Sequence, residues 1–324
     1  MSEDTIIGER AKFVKDARLI KKSGYMKLFL KAPMLLSEAL TVLFPETSKR
    51  SFSHWIKGER VLVDGAVMKR LNTPLEKGAE LKVRSKAQKS SYGLNILFQD
   101  KDLIVVDKPA GILSVKSDNG PKNSLHDRVK KALNQKVYVV HRLDRETSGV
   151  ILFALSDKAY QDLKKQFFDR SASRTYAAIV EGIPSENSGQ WTSYVLDDAL
   201  VVKTTNNHHM GKIAISNFEV IAKSQVRTEP LSLLKVKLKT GRKNQIRVQA
   251  KEAGLPIVGD KKYGSEEDSR LNPINRLGLH ASSLIFTHPG LKKSMCFFSP
   301  LPKAFLGPFK KDLKWIEKVF SKAD

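Results

Sequence analysis

The sequence predicts an α+β protein built in two parts, and three observations predict it. Helical periods and hairpin signals sit together before residue 85, a polar stretch then interrupts the chain, and short strands and helices interleave beyond it. Residues 1–34 form an extension whose order the sequence leaves open, with Lys12, Lys15, Arg18, Lys21 and Lys22 ahead of the short apolar run 25–30. A small domain over 35–85 starts with Leu36, Leu40 and Leu43 at four- and three-residue steps, one face of a helix that Pro45 stops. A second helix from Thr47 or Ser48 carries Lys49, Arg50, Trp55 and Lys57 towards Gly58. Val61-Leu62-Val63 then runs into an Asp64-Gly65 turn, and Glu80-Leu81-Lys82-Val83 supplies a last strand.

Residues 86–92 read as a polar linker, and a larger domain over 93–310 follows. It opens with a strand at 96–98, the turn Asp100-Lys101-Asp102, a strand at 103–106 and a Lys108-Pro109-Ala110-Gly111 loop. Leu125, Val129 and Leu133 mark a helix from Ser124, and 137–140 is a strand leading into His141. A buried strand at 149–155 precedes a helix capped by Ser156, with Ala159, Leu163 and Phe167 on one face, and 176–180 is strand again. The segment 185–212 is polar and reads as exposed loop. Its His208-His209 pair is no metal site, because adjacent side chains diverge and no partner stands at ligand spacing. Leu234, Val236 and Leu238 alternate with Lys235, Lys237 and Lys239, a strand with one core face and one cationic face. A helix over 245–252 ends at Gly254, a strand covers 284–287, and 311–324 is an amphipathic C-terminal helix through Leu313, Ile316, Val319 and Phe320.

Composition narrows the class. The 324 residues hold 57 Lys plus Arg against 34 Asp plus Glu, a formal net charge of +23, which attracts polyanions: RNA, DNA or anionic lipid. An apolar content of 41% is too high for a disordered chain. The single cysteine, Cys296, excludes an internal disulfide, and residues 1–10 lack a leader's apolar run, so a cytoplasmic location is expected. No apolar stretch reaches spanning length, so no membrane partner is expected. A DNA-binding regulator would need a recognition helix and a dimer seam; neither is legible, and a monomer without a DNA partner is expected.

The densest chemical cluster is His141-Arg142-Leu143-Asp144-Arg145-Glu146-Thr147-Ser148-Gly149, with one carboxylate between two arginines at a strand-to-strand turn. Cationic neighbours and turn hydrogen bonds favour an ionised, nucleophilic Asp144, as covalent catalysis by aspartate needs. By spacing alone an ion-paired turn explains the same residues, and it is the commoner arrangement.

The string HRLDRETSGVILFA closely resembles the nucleophile motif of RluA-type RNA pseudouridine synthases, and further blocks follow the family's order. LFQDKDLIVVDKPAG resembles its opening block, RTYAAIVEG the block with its tyrosine, LKTGRKNQIRVQA the block with its arginine, and PIVGDKKYG and LGLHASSLIFTHP its closing elements. The domain before residue 85 resembles the S-four-type (alpha-L) RNA-binding module that often precedes this catalytic domain.

The resemblance implies a mixed, largely antiparallel sheet flanked by helices, and isomerisation of uridine to pseudouridine without cofactor or metal. It makes Asp144 the nucleophile or base, Tyr176 the residue that stacks on the flipped base, and Arg247 the partner that orients Asp144. Arg142 would fill the space the base leaves. His141, Arg145 and Gln245 are expected at the RNA, Lys108 and Gly241-Arg242 at its phosphates, and Arg50 and Lys57 on the N-terminal module's RNA surface. Lys243, Asn244 and Gln249 depart from the family's usual Thr or Ser, His and His, which predicts altered hydrogen bonds around the site rather than lost activity. The expected substrate is large-subunit ribosomal RNA. The alternatives are a tRNA-modifying synthase and a non-catalytic RNA-binding or ribosome-assembly protein of the same fold.

Overall fold

The structure, a computed structural model, describes every residue except 1–17, 23–24, 31, 45–46, 58–59, 65, 85–87, 90–92, 117–122, 197–201, 206–208, 227, 265–271 and 321–324. The chain divides into two compact units, Met1–Ala87 and Gln88–Asp324.

In the N-terminal unit the elements run Arg18–Lys22 (β1), Tyr25–Phe29 (β2), Met34–Leu35 (β3), Leu36–Leu43 (α1), Lys49–Lys57 (α2), Val61–Val63 (β4), Ala66–Val67 (β5), Pro74–Leu75 (β6) and Glu80–Arg84 (β7). Five strands form an antiparallel sheet in the order β1-β2-β7-β4-β5, and β3 pairs with β6. Arg18–Lys22 and Tyr25–Phe29, expected as an extension, are therefore paired strands of this sheet. The physical reason is Leu28 of β2, buried with Leu36, Leu40, Phe52, Val61 and Leu81 in one core. At the Asp64 turn, φ is +48° and the carboxylate accepts from the Glu80 N–H at 2.9 Å, which fixes the register between β4 and β7.

In the C-terminal unit the elements are Gln88–Lys89 (β8), Asn95–Gln99 (β9), Leu103–Lys108 (β10), Leu125–Leu133 (α3), Tyr138–Val139 (β11), Ser148–Ala154 (β12), Asp157–Phe168 (α4), Ser173–Glu181 (β13), Ser188–Leu196 (β14), Lys203–Thr205 (β15), Lys212–Val226 (β16), Glu229–Leu238 (β17), Gln245–Glu252 (α5), Leu279–Thr287 (β18), Ser294–Phe298 (β19), Lys303–Leu306 (α6) and, after a 3₁₀ turn at Gly307–Asp312, Leu313–Phe320 (α7). Twelve strands make one sheet, in the order β15-β14-β16-β17-β13-β18-β12-β10-β9-β8, with β11 added to β12 and β19 to β18. All pairings are antiparallel except β12 with β18, which run parallel through Ser148–His280 and Gly149–Ala281. The α+β, mixed and mostly antiparallel architecture is the one the sequence predicts.

Gly149 makes the parallel junction possible. Its φ is +115°, and a Cβ there would overlap the carbonyl oxygen of Ala281. One face of the sheet buries Ile104, Ile151, Phe153 and Tyr176 against Leu125 and Val129 of α3 and Ile246 and Ala250 of α5. On the other, Val105, Leu152 and Ala154 meet Ala159 and Leu163 of α4, whose first turn Ser156 caps through the Ala159 N–H.

Two expectations are corrected here. The segment 185–212 is not a loop throughout, since 188–196 and 203–205 are strands. Its period-two pattern is hidden because Ser193, buried between Trp191 and Val195, is polar and faces inward to meet other side chains. Gln88–Lys89, within the expected linker, pairs with β9 as an edge strand. The amphipathic C-terminal helix is found at 313–320, where Ile316 and Phe320 pack with Phe305, Ile221 and Leu233. Among the described residues, no helix is long and apolar enough to cross a membrane.

Candidate active site

The loop between β11 and β12 carries Asp144, and its backbone is held from below. Lys108, at the end of β10, is fully buried and donates from Nζ to the carbonyls of Pro109 and Arg145 at 3.0 Å each. Gly111 N–H donates to the Arg145 carbonyl at 2.9 Å, and Ser114 Oγ donates to the Leu143 carbonyl at 2.6 Å while accepting from the Leu143 N–H at 3.0 Å. The Lys-Pro-Ala-Gly segment is thus a brace under the Asp144 loop, and Lys108 does not reach for phosphates.

Burial pulls the Lys108 ammonium down to about 7, with the charges of Asp144 and Glu146 opposing the fall. The unfolded chain releases this proton only near 10.5, so it binds more protons than the folded one between those values, and stability rises with pH across that window. Unfolding free energy is expected to climb between about pH 7 and pH 10 in the parent protein, with that climb reduced in Lys108→Met. Parallel slopes in the two proteins rule out a titrating ammonium in the brace.

Asp144 has a side chain about one quarter exposed, with Oδ2 3.4 Å from Nη1 of Arg247 on α5. Arg247 is itself gripped by Asp260, a fully buried carboxylate that accepts from Nε and Nη2 at 2.7 Å each in a two-point pair. Burial pulls the Arg247 guanidinium down, but the bonds and charge of Asp260, then those of Asp144, outweigh it and hold it above its ordinary value. Its plane also lies 5.0 Å above the ring centre of Tyr263. Tyr176, on β13, is 7% exposed; burial, with a lesser push from Asp144, raises its hydroxyl above the usual range. Asp144 and Arg247, far apart in sequence, are brought into contact, and Tyr176 lies near enough to feel the Asp144 charge.

The remaining predicted contacts divide. Arg142 and Arg145 are exposed beside Asp144, and Arg145 donates to the Gly111 carbonyl at 3.1 Å. His141 faces inward instead: its Nε2 accepts from the Leu152 N–H at 3.1 Å and its ring stacks on Phe167 at 4.5 Å. Burial, aided by the Arg174 charge, lowers it to about 3, so the imidazole is neutral and structural. Gln245 is buried and saturated, its oxygen accepting from Thr240 Oγ1 and the Arg242 N–H, its nitrogen donating to the Ile215 carbonyl and Ser216 Oγ. It is no RNA contact.

Gly241 is exposed and leaves room for Arg174, whose Nη1 a Cβ there would overlap. Arg242 donates from Nε to the Ile213 carbonyl at 3.0 Å. Gln249 ties α5 to the sheet by accepting from Ser216 Oγ and donating to the Trp191 and Ala214 carbonyls. Arg50 is exposed on α2 of the N-terminal unit; Lys57 ends that helix and its side chain lies outside the described residues.

This geometry accompanies clear likenesses. The RNA pseudouridylate synthase family model matches residues 102–252, which contain Asp144, Tyr176 and Arg247. The ribosomal large subunit pseudouridine synthase D of Pseudomonas aeruginosa is 32% identical over 301 residues, a match covering 84% of this chain and 89% of that protein. The chain belongs to the RNA pseudouridine synthase family. It is an enzyme of the RluA type, and the dual-specificity RNA pseudouridine synthase RluA of Escherichia coli is 37% identical over 214 residues, 64% of this chain and 93% of that one. The human RNA pseudouridylate synthase domain containing 1 shares the fold, with a TM-score of 0.56 at 21% identity over 68% of this chain and 87% of its own.

Two supports of the synthase site were not singled out from sequence. Asp260 stands inside the PIVGDKKYG block, whose resemblance was the available signal. Arg276 donates to Ser148 Oγ at 2.7 Å, and that hydroxyl donates to His280 Nδ1 at 2.8 Å, which ties the end of the Asp144 loop to β18. No local pattern announces that pair.

Proposed function

We propose that this synthase isomerises specific uridines of large-subunit ribosomal RNA in the cytoplasm, on a nucleotide flipped out of its stack, with Asp144 as the carboxylate that starts the reaction. The observation that carries the reading is the open side of Asp144: a quarter-exposed carboxylate beside Arg247, whose far edge Asp260 immobilises. Such an anion is positioned, yet still accessible to a nucleotide.

The isomerisation breaks the bond from sugar C1′ to ring N1 and forms one from C1′ to ring C5; C5 gives up its proton and N1 takes one. Flipping costs about a few kcal/mol, and Arg142, exposed on the loop, is placed to fill the gap. Because burial keeps the Tyr176 phenol protonated at neutral pH, it serves as a stacking surface and hydrogen-bond donor rather than as a phenolate base.

Support for the ribosomal substrate comes from the extent of the likeness. The Pseudomonas large-subunit enzyme matches 84% of the chain, more than residues 88–324 alone can supply, so its likeness reaches into the N-terminal unit. We assign that unit to RNA binding, with Arg50 on its exposed surface. Removing residues 1–87 is expected to weaken RNA binding and flatten its dependence on salt, because each lost phosphate contact removes about one released counterion. An unchanged slope rejects that role.

The likeness to RluA, itself described as dual-specific, favours a second reading in which other RNA is also modified. A pseudouridine map of ribosomal and transfer RNA from cells with and without the gene decides between them. Loss of sites confined to transfer RNA overturns the ribosomal assignment.

A further inference from the structure

We propose that Asn244 is a positioning residue for the Asp144 carboxylate, with the far end of its amide held by the Tyr263 hydroxyl. This rests on the reading of Asp144 as the reacting carboxylate. With its nitrogen towards the loop, the Asn244 amide donates to Asp144 Oδ2 at 2.9 Å and Oδ1 at 3.1 Å, while its oxygen accepts from the Tyr263 hydroxyl at 3.0 Å. The opposite orientation would keep a bond to the Tyr263 hydroxyl and let the amide oxygen accept from Arg247 Nη1 at 3.3 Å, but it would also set that oxygen 2.9 and 3.1 Å from the two carboxylate oxygens, acceptor against acceptor, and these two closer contacts favour the nitrogen-inward assignment.

The backbone gives Asn244 this task. It sits immediately before α5 at φ 53° and ψ 21°, in the left-handed region that Asn tolerates better than most residues. A side chain at the start of a helix commonly caps a free N–H, but that of Asn244 makes no such bond and is turned to Asp144 instead. Tyr263 is 4% exposed, so its buried hydroxyl needs a hydrogen-bond partner, and the Asn244 amide is one.

The consequence is a two-point grip on Asp144. Arg247 approaches Oδ2 at 3.4 Å, longer than an ordinary ionic hydrogen bond, because its other two donors are committed to Asp260. The shorter contacts come from the neutral amide. Asn244 thus aims the carboxylate without adding charge, and Arg247 supplies the charge from a distance set by Asp260. A neutral donor here also keeps its proton at every working pH.

The test uses the full-length protein in single-turnover isomerisation of its RNA, with RNA affinity and melting temperature measured alongside. Asn244→Gly keeps the left-handed backbone and removes the donor; its rate is expected to fall about tenfold or more, with affinity within about twofold. Asn244→His, whose ring can donate to Asp144 and accept from Tyr263, is expected to regain most of that loss. Asn244→Asp, of the same shape but with a second negative charge, is expected to be slower than the glycine variant. Tyr263→Phe should lose less than Asn244→Gly, in the rate alone.

A folded Asn244→Gly protein at the parent rate overturns the proposal, as does a histidine variant no faster than the glycine one. If Asp144→Asn is inactive while all Asn244 variants run at full rate, this inference fails alone. If Asp144→Asn isomerises normally, the reading of Asp144 fails with it.

Discussion

Replacing Asp144 with Asn is expected to abolish isomerisation, a fall of at least about a thousandfold in the single-turnover rate, while RNA affinity stays within about twofold. The amide has the carboxylate's shape but neither its nucleophilicity nor its basicity. The surroundings should survive the change. The loop is braced through its backbone by Lys108 and Ser114, and Arg247 keeps its two short bonds to Asp260. The measurement is release of the C5 hydrogen from RNA labelled at that position, with binding followed separately. Normal release from the variant would mean that another group starts the reaction. Loss of binding with activity would return Asp144 to a purely structural turn.

The second large effect is expected from Asp260→Ala, in stability as much as in rate. The Asp260 carboxylate is wholly enclosed; besides Arg247, it accepts from the N–H groups of Lys262 and Tyr263 at 3.0 Å each. Removing it leaves a guanidinium only 12% exposed without its main partner, a change that costs about 3–5 kcal/mol. For a unit of this size, that is a fall in melting temperature of about 6–20 °C. Asp260→Asn should fall less in melting temperature and still lose rate, because Arg247 is then free to swing towards Asp144. An Asp260→Ala protein that melts with the parent would show that Arg247 finds its support elsewhere.

The sequence carried the proposed reacting residues more clearly than the supporting ones. Asp144, Tyr176 and Arg247 were legible because each stands inside a block whose order is shared with a family. What those blocks do not carry is depth. Lys108 and Gln245 are of the types that touch phosphate and base, and only burial reveals that they hold carbonyls and hydroxyls of their own chain. His141 was misread for the same reason: position beside Asp144 says nothing of which way a ring points.

In the fold, helices with clean apolar periods, such as the one with Leu125 and Val129, were legible. Strands β14 and β16 were not, because Ser193 and Ser216 occupy inward positions where period-two reading expects apolar residues. Those serines are inward because Gln249 is there to meet them, a long-range fact with no local trace.

The parallel junction of β12 with β18 also bears on the order of assembly. Ser148 meets His280 across 132 residues of chain, and Arg247 and Asp260, which complete the site, lie within that span. At synthesis rates of about 5–20 residues per second, a nascent chain exposes Asp144 for on the order of ten seconds before β18 exists to pair with its strand. A loop closure of that length carries an entropic cost, and the proposed site is incomplete until residues 247–280 are in place. The Asp144 loop can thus be braced by Lys108 and Ser114 early in synthesis, while its link to β18 must wait for the last quarter of the chain.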